Sequence, residues 1–175
     1  LADRTVEDTE PLIVHNPAHR DEVLGEVAMA SPGHIENAVS LAARAQPDWA
    51  NRPVSERAAC LRRAAELIRT RRYELAAWEV LEVGKSWREA DADIMEAIEY
   101  LEYYSQRMLE LAAGKPLPQF PGESNTYQYV PQGIAVVIAP WNFPAAILTG
   151  MVSAALVSGN AVLLKSGCIC CTVRG

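Results

Sequence analysis

Residues 136–147 read VVIAPWNFPAAI, an apolar run that stops at an asparagine set between two aromatics and bracketed by two prolines. Each proline holds φ near −65° and lacks a backbone donor, so a chain turned in this way leaves Asn142 few conformations. An amide restrained like this is a preorganised hydrogen-bond donor for an acceptor held at a fixed place. The same turn can equally be structural, with Asn142 satisfying neighbouring backbone groups. Lys165 closes a second apolar stretch, AVLLK, where its ammonium can donate to a ligand or face solvent. Glu96 shares the polar face of a long amphipathic segment with Glu89, Tyr100 and Tyr103, and spacing alone makes it a solvated carboxylate.

Other residues with chemical potential carry less. Three of the four cysteines, Cys168, Cys170 and Cys171, crowd into the closing KSGCICCTVRG. They lack the paired C-x-x-C spacing of zinc sites, so no metal centre is expected. Cys60 lies in ERAACLRRAAELI among Leu61, Ala64, Leu67 and Ile68 at helical spacing and is expected in the core. His15, His19 and His34 have no ligand spacing and read as surface or turn residues. The acidic residues Glu82, Glu89, Asp91 and Asp93 read as a solvated surface.

These residues must be positioned by elements that the periodicity defines. LIVHNP and DEVLGEVAMA predict two short strands joined at Asn16 and Pro17. Ser31 followed by Pro32 is an N-cap and first-turn pair, opening a helix with Ile35, Ala38, Val39 and Ala42 on one side. Helices follow from Val54 to about Arg72 and from Tyr73 to Val83, the latter closed by Gly84. In the next, long helix, Ile94, Ala97, Ile98, Leu101, Met108 and Leu111 share the apolar stripe. After the Pro/Gly-rich connection GKPLPQFPGESN come the strand TYQYV and the run IAVVIA, which has no polar alternation and so predicts a strand covered on both faces. A helix over 145–157, a stop at Gly159-Asn160 and AVLLK complete a βαβ unit. Its topology puts Pro140 to Phe143 and Lys165 at the carboxyl ends of neighbouring strands, where open α/β sheets bind ligands.

Composition sets outer bounds. The chain has 175 residues, half of them hydrophobic, enough for about one domain with a core. A net charge of −6 and a pI near 5.1 argue against general nucleic-acid or membrane-surface binding. The longest apolar run is broken by prolines and polar residues and does not predict a membrane span, and no signal peptide is read. The first residue is Leu1 and the close is atypical, so a portion of a longer protein is expected.

APWNFP followed by a small-residue helix, then GNAVLLK, with EVGK upstream, resembles the NAD(P)-dependent aldehyde dehydrogenase superfamily from about Ile13 to Lys165. NPAHRDEVLGEV, EVGKSWREADADIMEAIEYLEYY and PGESNTYQYVPQG are most similar to its branch that oxidises glutamate γ-semialdehyde in proline catabolism. The resemblance implies an α/β fold: an N-terminal hairpin over 1–30, a helical region over 31–113, a connection and oligomerisation strand over 114–132, the first βαβ of a Rossmann-like cofactor domain over 133–165, and an atypical tail over 166–175. It implies NAD as cofactor, with NADP an alternative, an aldehyde substrate, a cytoplasmic homo-oligomer assembled through the strand near 126–130, and an allowed fusion to proline dehydrogenase.

On the same resemblance Asn142 is the catalytic donor to a negatively charged thiohemiacetal oxygen, Ile138 and Trp141 lie beside the cofactor, and Lys165 binds its ribose or 2′-phosphate. Phe143 lines the aldehyde tunnel, and Glu96 faces the substrate's ammonium group. One departure stands out: the family follows the lysine with Pro-x-Glu, whose glutamate binds the adenosine ribose, whereas Ser166, Gly167 and Cys168 stand here. The family's nucleophilic cysteine, general-base glutamate and glycine-rich segment are not found in the chain, which is expected to be inactive alone. The alternatives are a non-catalytic scaffold or interaction piece and a dehydrogenase of another aldehyde.

Overall fold

The computed structural model describes residues 11–165. The order is β1 (Leu12–His15), β2 (Val23–Val27), α1 (Pro32–Ala50), α2 (Val54–Thr70), α3 (Arg72–Val83), α4 (Trp87–Ala112), β3 (Ile134–Ile138), α5 (Ala146–Val157) and β4 (Ala161–Lys165). Strands β1 and β2 form an antiparallel hairpin, and β3 pairs with β4 in parallel from Ile134↔Ala161 to Ile138↔Lys165. The fold is thus mixed α/β, a helical layer leading into one βαβ unit. No helix among the described residues is long and apolar enough to cross a membrane.

Local chemistry starts and stops these elements where the sequence marks them. In the hairpin turn, Asn16 accepts the Ala18 N–H and donates to Glu22, which orders the crossover from β1 to β2. Ser31 and His34 form a reciprocal cap on α1, the imidazole Nδ1 accepting the Ser31 N–H at 3.0 Å. Ser86 and Glu89 do the same for α4. Gly84 ends α3 at φ 74°, the left-handed conformation that a side chain resists, with Pro17 a further 3.2 Å obstacle to any Cβ.

The core lies between α2, α4 and α5. Along α4 the residues Ala90, Asp93, Ile94, Ala97, Ile98, Leu101, Ser105 and Met108 are buried, a stripe at three- and four-residue steps. Burial of Ile94, Ile98 and Leu101 contributes about 1.5–3 kcal/mol each. Leu111, expected on that stripe, is 39% exposed, because the stripe has rotated off the core by the last turn of α4. In α2 the buried set is Arg57, Ala58, Leu61 and Ala65. Cys60, expected in the core, is exposed, since it lies one residue, about 100° around the helix, from the buried Leu61. Leu67 faces outward with it.

Two further segments are less enclosed than their composition suggests. Helix α1 buries none of its residues completely, and Ile35 and Val39 are exposed. It meets β3 and β4 without a helical layer over its apolar side. Residues 126–130 do not form a strand, because a strand requires a ladder partner and none of the described residues pairs with them. Tyr127 and Tyr129 nonetheless meet edge-to-face with ring centroids 5.1 Å apart. The Cys-rich stretch and the departure at Ser166 to Cys168 lie outside the described residues, as does the start of the chain before residue 11.

Helix α5 is anchored from elsewhere at its carboxyl end. Trp49 donates to the Leu156 carbonyl at 2.8 Å and Gln46 to that of Gly159 at 3.1 Å. The buried Arg57 donates Nε to the Val157 carbonyl at 2.9 Å and Nη1 to the carbonyls of Ala50 and Arg52. A guanidinium here satisfies free carbonyls and complements the negative end of the helix dipole. Arg57→Met, which keeps the stem but removes the donors, is expected to destabilise the protein by at least about 1.5–3 kcal/mol, the range for one hydrogen bond to a charged group. The urea unfolding midpoint measures this, and an unchanged midpoint would show that water replaces the guanidinium without cost.

Candidate active site

The turn between β3 and α5 is built by its two prolines and by what surrounds them. Ala139 and Pro144 are buried, while Pro140, Trp141, Asn142 and Phe143 project outward. Val137 points into the core and the flanking Val136 and Ile138 point out, so the strand alternates faces up to the turn. The expectation of a strand covered on both faces therefore fails within this chain: Val136 and Ile138 are 63% and 64% exposed.

Across from the turn lies the first half of α4. Together they enclose a cleft of about 450 Å³ lined by Lys85, Glu89, Asp93, Glu96, Trp141, Asn142, Phe143 and their small neighbours. Four of the residues singled out in the sequence, Glu96, Trp141, Asn142 and Phe143, thus come together across some fifty positions of chain. The remaining two, Ile138 and Lys165, are register partners at the carboxyl ends of β3 and β4 and do not line that cleft. Both are exposed, which leaves an apolar surface with Trp141 and an ammonium along one sheet edge.

Glu96 is only partly exposed and interacts with Tyr100, whose hydroxyl it pushes above the ordinary tyrosine range, mainly through their hydrogen bond. Tyr100 in turn packs against α5 at Gly150, where an added Cβ would meet the ring at 3.0 Å. Glycine at this position is what lets the ring, and with it the Glu96 side of α4, approach α5 so closely.

The structure also shows a cluster that sequence spacing missed. Asp93, read as solvated, is 2% exposed, and Glu79 is 1% exposed. Lys85 lies between them, its Nζ 3.3 Å from Glu79 Oε2 and 3.3 Å from Asp93 Oδ1. Its ammonium also sits 4.5 Å from the centroid of the Phe143 ring. Asp93 Oδ2 accepts the backbone N–H groups of Ala145 and Ala146 at 3.1 and 3.3 Å. The α5 N-cap is Ala145, which has no capping side chain, so an aspartate from α4 supplies the cap across the fold. Of the other acidic residues, Asp91 pairs with Arg72 in a half-buried bridge, while Glu89 is exposed as expected and caps its own helix. Asp93 falls next to Ile94 on the buried stripe, and that adjacency was the signal available in the sequence.

Burial first and Asp93 second, opposed by Lys85, together hold the Glu79 carboxyl up at about 8. At neutral pH Glu79 therefore carries its proton, and Lys85 with Asp93 forms the charge pair. Between about pH 4.5 and 8 the folded protein holds a proton that the unfolded chain has released, so this group makes stability fall as pH rises through that window. Glu79→Gln, the isostere of the protonated acid, is expected to remove this slope. Relative to the parent its folding equilibrium should gain up to roughly tenfold per pH unit across the window. Urea unfolding at pH 5 and pH 8 checks it, and parallel pH profiles for the two proteins would contradict a protonated Glu79.

Comparison with known proteins bears on this geometry. The sequence profile of the aldehyde dehydrogenase family matches residues 5–168. 1-Pyrroline-5-carboxylate dehydrogenase 2 of Bacillus subtilis is 50% identical over 159 residues, a match covering 90% of this chain and 31% of that protein. Among solved structures, 1-pyrroline-5-carboxylate dehydrogenase from Thermus with bound NAD superposes with a TM-score of 0.88 at 42% identity, covering 94% of this chain and 32% of that one. Proline utilization A from Bdellovibrio bacteriovorus superposes at 0.87 with 40% identity, covering 94% and 17%. The chain spans about a third of the length of the curated relatives it matches. With a family match along nearly its whole length and a βαβ unit whose first strand leads into a proline-bracketed asparagine, the chain belongs to the aldehyde dehydrogenase family.

Proposed function

We propose that this chain forms the N-terminal part of an NAD-dependent dehydrogenase that oxidises glutamate γ-semialdehyde to glutamate, with Asn142 as the donor to the reacting oxygen. The observation that carries the reading is the convergence of Asn142, Phe143 and Glu96 on one cleft from elements distant in sequence. The names of the relatives at 50% and 42% identity support the substrate class. The proline utilization A neighbour supports fusion to a proline dehydrogenase as one arrangement of such a protein.

Thiolate addition to an aldehyde gives a tetrahedral thiohemiacetal whose oxygen carries negative charge. The Asn142 amide stabilises that charge, and the two prolines hold it in place beforehand, so no reorganisation accompanies the reaction. The reaction also requires a thiolate and a general base, and no cysteine is among the residues that line the described cleft. Phe143 walls the aldehyde and excludes water beside it. Glu96 accepts a charge-assisted hydrogen bond from the substrate's ammonium group.

For the dinucleotide, the exposed Ile138 and Trp141 offer an apolar surface and Lys165 a donor at the adjoining strand end, a set that fits a planar ring and ribose hydroxyls. When bound, the dinucleotide supplies the hydride acceptor. An NADP preference remains the alternative within this reading, since the same ammonium can meet a 2′-phosphate. Assembly of the protein into a homo-oligomer through residues near 126–130 belongs to the proposal as well. Tyr127 and Tyr129 are exposed there and line a second cleft of about 300 Å³ with Arg107 and Lys115.

In the full-length dehydrogenase that carries this sequence, Asn142→Ala is expected to lower kcat by about a hundredfold or more, with little change in cofactor affinity. Single-turnover kinetics with the semialdehyde measure it, and an unchanged acylation rate would reject the donor role. Glu96→Ala is expected to reduce kcat/KM for glutamate γ-semialdehyde by about tenfold or more, while that for a short aliphatic aldehyde hardly changes. Equal losses for both aldehydes would make Glu96 structural.

A further inference from the structure

The cluster of Glu79, Lys85 and Asp93 has no part in the chemistry described above, yet it touches the Asn142 turn from two sides. We infer that Asp93, held by Lys85, is a positioning residue that sets the Asn142 turn relative to its acceptor. The inference rests on the donor role proposed for Asn142.

Asp93 divides its oxygens. Oδ2 accepts from Ala145 and Ala146, three and four residues past Asn142, while Oδ1 lies 3.3 Å from the Lys85 ammonium in an ion pair that lacks hydrogen-bond geometry. Pro144, whose φ is fixed, lies between the anchored N–H groups and Asn142, so the anchor acts through a short, stiff segment. On the other side, Lys85 lies over the ring of Phe143, the immediate neighbour of Asn142. The turn is therefore gripped behind, at the start of α5, and beside, at an aromatic face, by one ion pair.

A buried ion pair is a weak source of stability, because desolvation offsets most of the attraction and apolar residues of the same volume do as well. What it supplies is direction. The two N–H groups that bond Asp93 Oδ2 fix where the turn leaves the strand, which loose apolar packing would not, and the nearby ammonium balances the buried charge that accepts them.

Glu79 tunes this grip. The charged groups bearing on it are Lys85, from the connection between α3 and α4, and Asp93, from α4, while α5 contributes the N–H groups that Asp93 accepts. With its carboxyl at about 8, Glu79 is neutral at pH 7 and leaves Lys85 to Asp93. Above about pH 8 it becomes a second anion competing for the same ammonium, and the hold on the turn loosens.

The test is a double-mutant cycle in the full-length dehydrogenase carrying this sequence, assayed with glutamate γ-semialdehyde. Asp93→Asn should lower kcat by about tenfold while the KM for NAD changes less than about twofold, and in the Asn142→Ala background it should lower kcat by less than about twofold. A tenfold loss in both backgrounds overturns the inference and leaves the Asn142 donor role standing. An Asn142→Ala enzyme with unchanged kcat overturns the donor role itself, and the inference with it. Glu79→Gln, which preserves shape, provides an arm that does not depend on Asp93→Asn folding, as thermal unfolding verifies for each variant. Its ratio of kcat at pH 9 to kcat at pH 7 should exceed that of the parent by about threefold or more, whereas equal ratios overturn the link between the cluster and the turn.

Discussion

Helix α5 is held at both ends by buried charges of the sign its dipole requires, and the site depends on that placement. Asp93 from α4 meets the N–H groups at its start, and Arg57 from α2 meets a carbonyl at its end. The helix has no capping side chain at Ala145 and is apolar along most of its length, so its own residues offer little to register it along its axis. The two charges provide that register. Because β3, the proline turn and α5 are continuous, fixing α5 also fixes where the Asn142 turn emerges.

The carboxyl end of α5 is organised as closely as its beginning. Asn160 accepts the N–H groups of Gln132 and Gly133, immediately before β3, and donates to Ala155 and Ser158. One side chain thus ties the start of β3 to the end of α5 and the start of β4. Gly159 adopts φ 93° in this turn and lies against Pro131, where an added Cβ would meet a proline carbon at 3.4 Å. The two strand starts are aligned by that contact, and the parallel register then carries Ile138 and Lys165 to the same level at the opposite end.

Charge in the cleft follows from the same helices. Glu89, Asp93 and Glu96 come from one helix, and Lys85 from the connection before it. Lys85 is engaged with Asp93 and with the Phe143 ring, and Glu89 with the cap of its own helix, which leaves Glu96 as the partly exposed carboxylate toward the open side. In the proposed reaction this separation has a purpose: a buried pair orients the donor turn, while the carboxylate nearer to solvent meets a cationic group of the substrate. One helix would then supply both the positioning and the recognition.

By itself, the sequence determined the elements and the turn, because their causes are local. Periodicity marked the five helices, Ser31, Ser86 and Gly84 sit where their caps require, and the βαβ order places the Pro140 to Phe143 turn and Lys165 at neighbouring strand ends. The family motif pointed to Asn142, Phe143 and Glu96 through a short run of residues and its neighbours. The tertiary structure alone decided which charges are inside. Asp93, Glu79 and Arg57 are charged residues on amphipathic helices, where solvent is the ordinary environment, and their partners lie up to a hundred positions away. Cys60 and the apolar side of α1 show the converse, since each looks buried by type and is exposed by the rotation and surroundings of its helix. Local spacing fixes a residue's angle around its own helix axis, but whether that angle meets protein or water depends on how the helices pack against one another.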